Sequence, residues 1–153
     1  MTSGRFVGKN VMVTAAGAGF GRAAARAFAA EGASAVCLVE RLADRLDAVA
    51  AEVQTAGARP VAIEAALGDA ASTEQALTVA LESVDRLDVL ISNHAAMTWE
   101  KPYLELADED WDLELRVNLT SHHVLAQRAA RAMVDSGGGV IVFTASVKQY
   151  ADG

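Results

Sequence analysis

With 153 residues, 52% of them apolar, the chain is long enough to bury a core and too apolar for a disordered polymer. A net charge of −7 argues against a partner gripped by its phosphate backbone, so no nucleic acid is expected. A single cysteine, Cys37, excludes an intrachain disulfide and a multi-cysteine zinc site, while the polar start MTSGRFVGKN and the lack of any bilayer-length apolar run give a cytoplasmic, non-membrane expectation with no metal.

The elements follow one another without a linker. NVMVTA (10–15) reads as a first strand, and the alanine-rich stretch 20–32 as a helix stopping at Gly32. SAVCLVE (34–40) is a second buried strand, its Cys37 a buried inert thiol. Leu42, Leu46, Val49 and Val53 mark a one-sided helix that ends near Gly57. RPVAIEA (59–65) is a weaker strand, and Ser72 with Gln75 forms a capping-box signature for the helix carrying Leu77, Leu81 and Val84. LDVLIS (87–92) is the fourth strand. Asp108 is expected to cap a long helix from about Glu109, with Trp111, Leu115, Asn118, His122 and Leu125 on one buried stripe. Of the adjacent histidines, one should face in and the other, beside it, out. After the glycines at 137–139, VIVFTA (140–145) is the fifth strand.

Strands alternating with helices predict an α/β fold of Rossmann type: a doubly wound parallel sheet of order 3-2-1-4-5 in three α/β/α layers. Right-handed crossovers then place ligand groups at the C-terminal ends of strands one, two, four and five. The unusual residues fall there. Thr14, Ala16, Gly17, Gly19, Phe20 and Gly21 lie in a glycine-rich turn that lets backbone and helix N-terminus approach a pyrophosphate. Glu40 ends the second strand, where its carboxylate can take both ribose hydroxyls of an adenosine and repel a 2′-phosphate. NAD is therefore expected in preference to NADP, although Arg41 next to it can turn toward a 2′-phosphate.

Over nearly its whole length the chain resembles the short-chain dehydrogenase/reductase family, corresponding to the N-terminal part of a member. The motif T-G-x-x-x-G-x-G matches Thr14 to Gly21, with Ala15 at the first glycine, where a methyl crowds the turn if φ must be positive. The resemblance implies that Asp69 and Ala70 meet the adenine, and that Asn93, His94 and Ala95 take the place of part of N-N-A-G beside the cofactor. Ser92, His94 and Ala95 depart from that motif, and the family has no histidine at 94, which reads better as a packing residue. The stretch DEDWDLELRVNLT carries over a proton-relay role to Asn118, and GGGVIVFTAS carries over the catalytic serine to Ser146.

In the family the proton donor is a tyrosine followed four residues later by a lysine that lowers its pKa. Lys148 and Tyr150 lie in the wrong order and spacing for that pair. The expectation is an NAD(H)-binding portion of an oxidoreductase acting on an alcohol or ketone, truncated before its Y-x-x-x-K motif and inactive alone. It should associate with itself or with a complementing C-terminal fragment. The alternative is a truncated dinucleotide-binding or scaffold protein without catalysis.

Overall fold

The computed structural model describes residues 4–98 and 101–146. Five parallel strands, β1 (Asn10–Thr14), β2 (Ala35–Glu40), β3 (Arg59–Glu64), β4 (Val89–Ser92) and β5 (Val140–Phe143), form one sheet in the order β3-β2-β1-β4-β5. This is the expected doubly wound order. Val11 stands level with Val36 of β2 on one side and Val89 of β4 on the other. Strand addition switches from one side of β1 to the other at β4, and such sheets open a crevice at their strand ends at that switch point.

The central strands read as continuous apolar runs because helices cover both faces. Side chains alternate between the layers. Val11, Val13, Val36 and Leu38 face α1 (Gly19–Ala30) and α2 (Ala43–Thr55). Met12, Cys37, Val39 and Leu90 face α3 (Ala70–Ser83) and α5 (Ser121–Asp135). Burial pushes the Cys37 thiol up to about 11 against the nearby charge of Arg59, so it is an inert core residue. Among the described residues no helix is long and apolar enough to cross a membrane.

Two helix starts differ from expectation. Asp69, and not Ser72, caps α3: its Oδ1 accepts the Ser72 backbone N–H at 2.9 Å. Both residues are good caps, but a carboxylate also meets the positive end of the helix dipole, so the helix begins at Ala70 and Ser72 becomes its third residue. At α4 (Asp108–Leu115) the preceding residue is Ala107, and it is Asp110 whose carboxylate takes the Ala107 N–H at 3.1 Å.

The long helix also breaks its own period. A π-helical turn, Arg116–Thr120, separates α4 from α5 and inserts an extra residue into the ladder. The inward face therefore passes through Val117, Ser121, Leu125, Ala129 and Met133. Trp111 is 60% exposed, and Asn118 is also exposed rather than on a buried stripe. A constant 3.6-residue period cannot be carried through a π-turn, so the expected stripe fails at Trp111, Leu115 and Asn118 while Leu125 keeps its buried place.

Candidate cofactor cleft and its supports

The turn after β1 is built to bring α1 close to the sheet. Ala16 N–H bonds to the Val39 carbonyl at 3.0 Å, holding the turn against β2. Ala18 precedes α1 without a side-chain cap, so the first amides of the helix face the cleft beside Gly19 and Phe20. Gly21 lies under this turn, where a Cβ would stand 2.1 Å from the Ala15 carbonyl oxygen. Gly17 is as confined, since a Cβ there would come within 2.7 Å of both Glu40 Oε2 and Arg45 Cβ.

Ala15 does adopt positive φ, at 49°. Its methyl sits in the left-handed region that a glycine would occupy without cost. Ala15→Gly is expected to stabilise the chain by about 0.5–1 kcal/mol, the relief of strain exceeding the added entropy of the unfolded chain. Urea unfolding midpoints of the two proteins check it.

Glu40 closes the same corner from β2. It is 7% exposed, with Oε2 accepting Gly17 N–H at 3.0 Å and Oε1 accepting Arg41 N–H at 2.9 Å and Leu42 N–H at 3.2 Å. A carboxylate offers about four acceptor positions, so roughly one remains, on Oε2. Glu40 thus shapes the turn as well as facing the cleft. Arg41 and Arg45 line the cleft next to it. Arg45 carries no sequence signal beyond its place four residues after Arg41.

At the end of β4 a buried polar network takes over. Thr14 Oγ1 accepts Asn93 N–H at 2.8 Å and His94 N–H at 3.2 Å, and lies 2.9 Å from His94 Nδ1. His94 Nε2 reaches Ser121 Oγ at 2.7 Å, and the His94 ring stacks on His122 with centroids 3.9 Å apart. Ser92 Oγ meets His122 Nδ1 at 2.6 Å. Two of the three departures from the N-N-A-G motif, at 92 and 94, thus find partners on α5. Burial, assisted by His122, pushes His94 down to about 3, and burial also lowers His122. His123 is exposed, so the adjacent histidines divide as expected.

The segment after β4 is held by side chains from the long helix. Asn118 takes the Ala96 N–H on Oδ1 at 2.9 Å and gives Nδ2 to the Ala96 carbonyl at 2.7 Å. Glu114 accepts the Thr98 N–H at 2.6 Å and also its hydroxyl. Asn93 Oδ1 accepts from Thr144 Oγ1 at 2.8 Å, tying β4 to the end of β5. Ser146 lies three residues beyond β5 and is exposed; Lys148 and Tyr150 fall outside the described residues.

These walls enclose a cleft of about 670 Å³ at the β1–β4 crevice. Of the anticipated site residues, Gly19, Phe20, Glu40, Arg41, Asn93, His94 and Ala95 line it. Thr14 and Ala16 are fully buried supports, Gly17 and Gly21 give clearance, and Asp69 with Ala70 begins α3 outside the lining. A hollow of similar size between α1 and α2 is walled mainly by alanines and lies away from the strand ends.

Residues 9–151 match the short chain dehydrogenase family. The chain belongs to that family. It is 33% identical over 142 residues to D-threitol dehydrogenase of Mycolicibacterium smegmatis (strain ATCC 700084 / mc(2)155), a match covering 93% of this chain and 54% of that protein. A 7α-hydroxysteroid dehydrogenase solved with NADH and 7-oxo glycochenodeoxycholic acid superposes with a TM-score of 0.90 at 28% identity, over 97% of this chain and 57% of that one. A metagenomic short-chain oxidoreductase in complex with NADP gives a TM-score of 0.86 at 29% identity, over 92% of this chain and 63% of that one. The chain therefore spans little more than half the length of these relatives.

Proposed function

We propose that residues 1–153 form one cofactor-binding domain of an oxidoreductase that uses NAD(H) to interconvert an alcohol and a ketone. The observation that carries this reading is the cleft itself: uncapped α1 amides lie at one end of the crevice and the Glu40 carboxylate beside them. The amides suit a pyrophosphate, and the remaining acceptor position on Glu40 suits a ribose hydroxyl. When bound, the nicotinamide would supply the hydride chemistry. Asn118 fixes the Ala96 backbone that forms a cleft wall, and Ser146 supplies a hydroxyl to orient a substrate oxygen. Residues 1–153 do not supply a tyrosine and lysine in the Y-x-x-x-K relation, so this stretch binds cofactor without turning it over. The protein works in the cytoplasm as a homo-oligomer or with a complementing C-terminal segment.

NADH fluorescence titration tests the reading. NADH should bind, and NADPH about tenfold more weakly, because the 2′-phosphate meets the Glu40 carboxylate. Equal affinities would remove the cofactor preference, and no binding at millimolar NADH would remove the cofactor itself.

A further inference from the structure

The stacked histidines carry a proton inventory that closes only in one charge state. The His122 Nε2 lies 2.9 Å from the His94 carbonyl, which can only accept, so Nε2 bears the hydrogen. Its Nδ1 then accepts from the Ser92 hydroxyl. Ser121 Oγ donates to the Val117 carbonyl at 2.7 Å, and so it accepts from His94 Nε2–H. That leaves His94 Nδ1 to accept the Thr14 hydroxyl at 2.9 Å, shorter than its 3.4 Å approach to the Ile91 carbonyl, and the Thr14 oxygen already receives two backbone N–H groups. Every ring nitrogen is satisfied with both imidazoles neutral.

An added proton disrupts this pattern at either ring. On His94 Nδ1 it would make a third donor at the Thr14 oxygen, which has two lone pairs. On His122 Nδ1 it would force the buried Ser92 hydroxyl to turn its hydrogen elsewhere. Charge on either ring would also lie 3.9 Å from its stacked neighbour. The contacts from each side are uncharged among the described residues: Thr14 of β1, Ser92 of β4, Phe143 of β5 and Ser121 of α5, while no ion pair joins either ring. The charged side chains sharing the cleft with His94 are Glu40, Arg41 and Arg45, from the end of β2 and from α2.

We propose that the His94–His122 stack is a proton-operated latch between the end of β4 and α5, closed while both rings are neutral and driven open by mild acid. The sign follows from linkage. Both rings titrate below the ordinary histidine value when latched, His94 at about 3, and return to about 6.5 when released. The open state binds more protons, so the latch is fully held above pH ~6.5 and is lost progressively as pH falls below it. From pH 7 to pH 5 the open population rises about 25-fold through His94 alone, and His122 adds to that rise. The latch rests on the chain's own network and does not require that the cleft hold a dinucleotide.

Amide hydrogen exchange on the 153-residue chain reads this directly. Protection factors of the Asn93 and His94 amides, the two donors to Thr14, should fall at least 25-fold between pH 7 and pH 5. Amides in β2 should change far less. His122→Gln should reduce the fall toward the single-histidine value, and His123→Gln, at the exposed neighbour, should leave it intact. In the wild-type chain, ¹⁵N shifts of both rings should report neutral Nε2–H tautomers at neutral pH. Unchanged protection at Asn93 and His94, an equal loss in β2 and β4, or a fall abolished by His123→Gln would overturn the latch.

Discussion

Replacing Gly21 by alanine is expected to destabilise the chain by about 3 kcal/mol or more, the upper end of what overpacking a core does. The new Cβ would meet Ala15 O at 2.1 Å, Ala15 C at 2.8 Å and Asn93 Nδ2 at 3.0 Å. Two of these three atoms are backbone, and Ala15 is already at φ 49°, so the turn has little room to yield. Relief has to come from sliding α1 off the sheet, which opens the contacts of Ala25 and Ala29 with β1 and β2. Gly68→Ala makes the matched control, since a Cβ there meets nothing within 4 Å. In thermal melts the Gly21 variant should lose about 6–12 °C while the Gly68 variant stays close to wild type. A Gly21→Ala protein melting within 2–3 °C of wild type would show that the close approach of α1 is not required (~1 kcal/mol).

The same turn shows how far the sequence could be read. The strand order was legible because four strands are apolar runs bounded by turn residues, and parallel pairing with right-handed crossovers leaves few arrangements. The glycine-rich turn and the acid at the end of β2 were legible because their spacing is short and local. Three features were not. Glu40 reads as a free carboxylate in sequence, whereas three backbone amides already occupy it, and backbone amides leave no trace in a residue pattern. The His94–His122 stack joins residues 28 positions apart, across a sheet and a helix, so neither histidine predicts the other. The π-turn at Arg116–Thr120 shifts the helix face under Asn118, and no residue there announces the shift.

The departures at Ser92 and His94 make sense together once the helix is in place. A serine and a histidine at the end of β4 need partners to be buried, and α5 supplies a histidine and a serine in return. The cleft floor is therefore cross-linked by side chains from β1, β4 and α5: Thr14 bonds His94, and His94 in turn reaches Ser121 and stacks on His122.

Thr14→Val tests the β1 end of that cross-link. The substitution keeps the β-branched shape of a fully buried residue and exchanges only the hydroxyl for a methyl. It strands the Asn93 and His94 N–H groups and leaves His94 Nδ1 without its donor. Each buried polar group left unpaired costs about 1–3 kcal/mol, and three in one network give a loss of about 3–5 kcal/mol, since they relax together. Thr14→Ser keeps the hydroxyl and deletes a methyl, at about 1 kcal/mol. Chemical denaturation should therefore rank wild type above serine and serine well above valine. If shape were what Thr14 contributes, valine would be the milder change, so the order of these two variants decides between packing and hydrogen bonding at the junction. The valine variant should also lose protection at the Asn93 and His94 amides first, because their acceptor is the atom removed.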